Sequence, residues 1–167
     1  MELYGSRGRD AWDLLARALA ASRGIAPLPR VARTADGKPW FPDRPELRFS
    51  LSHSGPLALV ALSDRPVGVD IEPIRPRRAG LPRYALTTEE LARYEALGGD
   101  WPAFYALWTR REAWCKYTGL GLQKSWGVAP GPARYGAYAG DGWRAAVCGE
   151  EDPPRTIVWL DGEEGAR

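Results

Sequence analysis

Apolar side chains recur at helical spacing between residues 10 and 22, where Leu14, Leu15, Ala18 and Leu19 share one face, and Gly24 followed by Pro27 ends the run. Residues 26–46 lose that periodicity and hold five prolines, which predicts an extended, loop-rich stretch. Three short apolar runs follow, at 47–52, 57–63 and 67–72. Ser54-Gly55-Pro56 and Asp64-Arg65-Pro66 separate them as turns. Connections this short call for antiparallel neighbours, so the expectation is a three-stranded meander.

Past residue 72 the pattern changes. Residues 73–83 carry three prolines and four arginines with no acid, an exposed basic loop. Thr87 and Glu90 have the spacing of a capping box and predict a short helix ending near Gly98-Gly99. Asp100 can cap a longer helix from Trp101 to about Thr118, with Pro102 in its first turn and Gly119 as its stop. Three β segments are predicted after that, at 133–139, 143–148 and 155–160, with a turn at Asp141-Gly142 and a polar, frayed tail over 161–167.

Composition narrows the class. The 167 residues suit one domain or two half-domains sharing a core, and 44% hydrophobic with 26% charged residues suits a globule. The longest aliphatic run, 57–62, is six residues, too short to span a bilayer. The opening Met1-Glu2-Leu3-Tyr4-Gly5 lacks a secretory pattern, and Cys115 and Cys148 are the only cysteines, so a cytoplasmic protein with reduced thiols is expected. The net charge of +2 is smaller than that of a general nucleic-acid binder. Lysine occurs only at positions 38, 116 and 124 against 20 arginines, so a lysine inside a motif stands out.

Four segments carry candidate chemistry. In Gly68-Val69-Asp70-Ile71-Glu72, a strand would put Asp70 and Glu72 on one face, ~6.6 Å apart along it, with Val69 and Ile71 in the core. Such carboxylates either share a cation or donor, or form a solvated edge with surface ion pairs. In the helix over 108–117, Trp108, Glu112 and Lys116 stack at spacing four, which alone reads as a surface ion pair. Phe49-Ser50-Leu51-Ser52-His53-Ser54-Gly55 ends a strand in a hydroxyl–imidazole–hydroxyl cluster holding the chain's one histidine, which is a structural hydrogen-bonder or a functional group. Upstream, Arg33-Thr34-Ala35-Asp36-Gly37-Lys38-Pro39 presents Arg33 and Lys38 on a turn, either to a phosphate or to solvent.

Taken in order, RTADGKPWF, FSLSHSG, VGVDIE and WTRREAWCKYTGLGL resemble the 4′-phosphopantetheinyl transferases of the surfactin-synthetase-activating type, best over residues 30–125. The resemblance implies an α+β fold of two related halves, 1–66 and 67–167. Each half would be a small antiparallel sheet with a packed helix, forming a pseudo-dimeric monomer with the active site in the cleft between them. It implies Mg²⁺, with Mn²⁺ as a possible substitute, on Asp70, Glu72 and Glu112, which suits a hard ion that takes oxygen ligands and shares them with phosphates. It implies coenzyme A as co-substrate, with Lys116 on its phosphates and Arg33, Lys38, Ser52 and His53 as further contacts, His53 near the 3′-phosphate. The reaction would pass phosphopantetheine to a serine of an apo acyl or peptidyl carrier protein and release 3′,5′-ADP. Asp70, Glu112 and Lys116 would be its catalytic residues, and Glu112 the base, directly or through a metal-bound water.

Some positions depart from the pattern. Arg111 stands where the family has lysine before the helix glutamate, and tolerance is expected there because that side chain need not reach a phosphate. The chain is short for this type and longer than the compact trimeric synthases of the superfamily. Arg7 and Arg9 match only loosely the basic residues that hold the 3′-phosphoadenosine in longer relatives. The arginines at 75, 77, 78 and 83 are candidates for meeting an acidic carrier, whereas Trp101, Phe104 and Tyr105 are expected to pack the helix. This type often serves secondary metabolism. Two rivals stand beside the reading: a coenzyme A- or nucleotide-binding protein without catalysis, and a basic module acting on nucleic acid.

Overall fold

A computed structural model describes residues 1–125 and 132–160. Strand β1 (Glu2–Arg7) leads into helix α1 (Ala11–Arg23). Asp10 caps α1 by accepting from the Trp12 N–H at 2.8 Å, and Gly24 closes it in the left-handed region. The proline-rich stretch contains only a two-residue ladder, β2 (Ala32–Arg33) with β3 (Pro39–Trp40), whose turn carries the Arg33-to-Lys38 loop. Then come β4 (Arg48–Ser54), β5 (Leu57–Ser63) and β6 (Val67–Pro73).

The expected meander is only partly present. β4 and β5 pair antiparallel, Ser52 opposite Leu59, but β6 leaves the sheet after the Asp64-Arg65-Pro66 turn. It pairs instead with β8 (Trp143–Gly149), which also pairs with β7 (Arg134–Gly140). A short connection limits how far the chain travels and does not dictate which sheet it rejoins. The last expected strand shrinks to β9 (Val158–Trp159), which lies parallel to β1 and does not extend the β7–β8 hairpin. The first sheet therefore has the order β4-β5-β1-β9 and the second β6-β8-β7.

Between β6 and β7 the chain forms α2 (Leu81–Ala85), α3 (Thr88–Ala96), α4 (Trp101–Thr118) and α5 (Gly121–Ser125). α2 corrects the expectation of a loop through residue 83: Pro82 and Ala85 are buried, while the arginines at 75, 77, 78 and 83 stay exposed. The capping box forms, with Thr87 Oγ1 accepting from the Glu90 N–H and Glu90 Oε2 accepting from the Thr87 N–H. Asp100 accepts from the Ala103 N–H at 2.8 Å, and Gly119 ends α4 in the left-handed region. The tail expectation for 161–167 lies outside the described residues.

The layers follow from strand alternation. Tyr4, Val60 and Leu62 face α1 through Leu14, Leu15 and Leu19, with Phe41 and Phe49 filling the same core. Leu3, Leu57, Leu59 and Ala61 face the other way and meet Val67, Val69, Ile71, Ala145 and Val147 of the second sheet. β5 is therefore sandwiched, and all seven of its residues are buried. The far face of the second sheet, through Ala146 and Cys148, receives α4 at Ala113. The first half of α4 packs Phe104, Tyr105 and Leu107 against Ala85 and Leu86, so Phe104 and Tyr105 are core residues as expected.

Gly68 sets the approach of α4 to β6. A Cβ at this position would stand 2.0 Å from the Ala113 carbonyl oxygen and 2.2 Å from the Tyr117 nitrogen. Only a residue without a side chain lets the helix backbone lie this close to the strand.

Candidate functional site

Because α4 lies on β6 at Gly68, the next residues of that face of the strand, Asp70 and Glu72, rise beside Glu112 and Lys116. These four line one cavity of about 380 Å³ together with Leu51, Ser52, His53 and Trp108. The face expected from the spacing of 108, 112 and 116 therefore points into the site. Asp70 is 3% exposed. Its Oδ1 accepts from Lys116 Nζ at 2.8 Å and from Ser52 Oγ at 2.7 Å. Its Oδ2 is buried and has no hydrogen-bond partner. A buried carboxylate oxygen left bare is costly, which marks a position able to take a cation.

The electrostatics agree. Burial pushes the Glu72 carboxyl above its ordinary range and the Asp70 charge pushes it further, against the hydrogen bond from Ser54 and the charge of Lys116. Burial likewise raises Glu112, followed by the charge of Asp70. Three carboxylates thus burden one another, with Lys116 as partial relief. Among the described residues, no group of three His, Cys, Asp or Glu side chains comes together as a complete metal cage. The hard oxygen donors and the bare Asp70 Oδ2 nevertheless fit a divalent ion that takes part of its coordination from phosphate and water.

A second cavity of about 440 Å³ shares Leu51, His53, Glu112 and Lys116 with the first and extends toward Arg33 and Lys38. Arg33 is exposed, and its guanidinium donates to the Gly37 carbonyl at 2.9 Å, which steadies the turn. His53 is also exposed. Lys38 behaves differently: its Nζ donates to the Tyr117 carbonyl at 2.9 Å and the Val67 carbonyl at 3.1 Å. It pins the hairpin to the end of α4 and the start of β6, and burial lowers its pKa to about 8. An ammonium has three donors, so one remains for a ligand. Lys124, the remaining lysine, pairs with Asp36 at 2.6 Å.

Of the residues singled out by sequence, the two adjoining cavities gather Arg33, Lys38, Ser52, His53, Asp70, Glu72, Glu112 and Lys116. Arg7 and Arg9 are not among the lining residues: Arg9 pairs with Asp13 at 3.3 Å and Arg7 lies over the Trp159 ring. Arg111 points away from Glu112. It is buried, pairs with Glu90 and donates to the Ala85 carbonyl, so it ties α2, α3 and α4 together. Ser54, placed by the sequence in the hydroxyl–imidazole–hydroxyl cluster without a role of its own, donates to Glu72 Oε2 at 2.6 Å. Its alternation with Ser50 and Ser52 was the available signal.

Comparison with known proteins agrees with the resemblance. Residues 66–132 match the model of the 4′-phosphopantetheinyl transferase superfamily. The chain is 40% identical over 116 residues to the 4′-phosphopantetheinyl transferase AcpT of Salmonella typhi, covering 66% of this chain and 59% of the relative. It is 34% identical over 88 residues to the 4′-phosphopantetheinyl transferase Sfp of Bacillus subtilis (strain 168), covering 52% and 39% respectively. With psf-1 of Bacillus pumilus it shares 36% identity over 105 residues, covering 59% and 42%. The chain thus spans between 39% and 59% of the length of these relatives. These matches show the likeness to 4′-phosphopantetheinyl transferases.

Proposed function

From a chain that carries the pattern of the 4′-phosphopantetheinyl transferase superfamily, we propose an enzyme that moves phosphopantetheine from coenzyme A to a serine of an apo acyl or peptidyl carrier protein and releases 3′,5′-ADP. The observation that carries this reading is the cavity where Asp70, Glu72, Glu112 and Lys116 meet, with Asp70 Oδ2 buried and unpartnered. A second cavity beside it, with cations on its rim, gives an extended ligand room.

In this reading Asp70, Glu72 and Glu112 hold Mg²⁺, or Mn²⁺ in its place. When bound, the ion supplies charge neutralisation at the diphosphate and at the leaving oxygen. Lys116 binds the diphosphate from the helix side, and Arg33, Lys38, Ser52 and His53 contact the remainder of coenzyme A, with His53 toward the 3′-phosphate. The carrier serine oxygen attacks the β-phosphorus. Its proton passes to Glu112, and the bond to the 3′,5′-ADP oxygen breaks. Positioning and fixed charge do most of the work, as in other phosphoryl transfers.

The same reading treats residues 1–66 and 67–167 as related halves of a pseudo-dimer, a cytoplasmic monomer whose cleft is the active site and whose carrier serves secondary metabolism. Intact-mass analysis tests it. Incubation with coenzyme A, Mg²⁺ and an apo carrier should add one phosphopantetheine to the carrier, and EDTA or Asp70→Ala should abolish the gain. Coenzyme A binding without transfer would overturn the reading.

A further inference from the structure

We infer that Ser54 is a positioning residue: its hydroxyl aims the Glu72 carboxylate at the position of a divalent cation. The inference rests on the reading of Glu72 as a metal ligand.

β4 and β6 are edge strands of different sheets and form no backbone ladder with each other. They are joined by a column of hydroxyls from alternate residues of β4, which share one face of the strand. Ser50 Oγ accepts from the Val69 N–H at 3.1 Å. Ser52 Oγ donates to Asp70 Oδ1 at 2.7 Å and Ser54 Oγ to Glu72 Oε2 at 2.6 Å. Ser50 therefore satisfies backbone, which is a structural task. Ser52 and Ser54 end on the two carboxylates of the acidic strand.

Ser54 has the larger effect to exert. Asp70 is already held by Lys116 and is almost fully buried, whereas Glu72 is longer, half-exposed and has Ser54 as its hydrogen-bond donor among the described contacts. A glutamate with three free torsions loses rotamer entropy when it must adopt one geometry, and a bond fixed in advance removes that cost from ligand binding. One oxygen is held by Ser54, which leaves Oε1 for a ligand. The serine's backbone is held in the β4–β5 ladder, where Ser54 stands opposite Leu57.

Mn²⁺ titration followed by electron paramagnetic resonance, with and without coenzyme A, reads this directly on the full chain. Ser54→Ala should weaken Mn²⁺ binding about 10–100-fold, the usual loss when a ligand's outer hydrogen bond is removed, and Ser54→Thr should restore most of it. If Ser54 acts through Glu72, Ser54→Ala added to Glu72→Gln should cost nothing further. Wild-type affinity in Ser54→Ala, equal weakness in Ala and Thr variants, or additive losses with Glu72→Gln would each overturn the inference. Absence of Mn²⁺ binding in the wild type under both conditions would overturn the metal reading beneath it. Where melting shows Ser54→Ala unfolded, Ser54→Cys, a weak donor of similar size, takes its place in the same comparison.

Discussion

Gly68→Ala is the smallest change expected to take the site apart without touching any of its polar groups. The new methyl would stand 2.0 Å from the Ala113 carbonyl oxygen and 2.2 Å from the Tyr117 nitrogen, both backbone atoms of α4 that no rotamer change can move. Ordinary van der Waals contact begins near 3.4 Å, so the helix must retreat by about 1.4 Å. Overpacking of this kind costs about 1–3 kcal/mol. Urea unfolding should show that loss as a lower midpoint at constant slope. The larger consequence is geometric. Glu112 lies one residue before Ala113 and Lys116 one before Tyr117, so both leave Asp70 and Glu72 with the helix. A misplacement near 1 Å can cost about 100-fold in catalysis, so transfer and Mn²⁺ affinity should fall far more than stability. Wild-type affinity and activity in a folded Gly68→Ala protein would refute the idea that this contact sets the site.

Other outcomes follow from the same contacts. The folded pKa of Glu112 is raised, so its stabilising contribution is full below its unfolded pKa and is lost as pH rises through the folded value. Glu112→Gln should therefore melt higher than wild type at neutral pH without divalent metal and gain less from added Mg²⁺, as scanning calorimetry would show; a lower melting point would contradict the assignment. Arg111→Met leaves Glu90 and the Ala85 carbonyl without their buried cation and should cost about 3 kcal/mol in urea unfolding, while Arg111→Lys, which keeps the charge, should cost less. If the exposed arginines at 75, 77, 78 and 83 meet an acidic carrier, KM for the carrier should rise with salt while KM for coenzyme A changes little, and a flat response would remove that surface.

How far the sequence could be read depended on the range of each interaction. α4 was legible from end to end because Asp100 and Gly119 act on their own neighbours, and the Thr87–Glu90 box is equally local. The acidic pair and the face bearing Trp108, Glu112 and Lys116 were legible because strand and helix periods place them. The partner of β6 was not, since Asp64-Arg65-Pro66 suits a hairpin as well as a step between sheets. The role of Ser54 was not legible because its partner Glu72 lies across a seam of side-chain hydroxyls that no local period reports. Arg111 reads in the sequence only as a replacement for lysine before the helix glutamate, and its burial depends on α2 and α3 folding over that side of the helix.

The most direct test of the central claim is anomalous diffraction from crystals grown with Mn²⁺ and coenzyme A. A peak held by oxygens of Asp70, Glu72 and Glu112, lost in Asp70→Ala, is the expected result. A ligand bound with these carboxylates apart and no ion among them would contradict it.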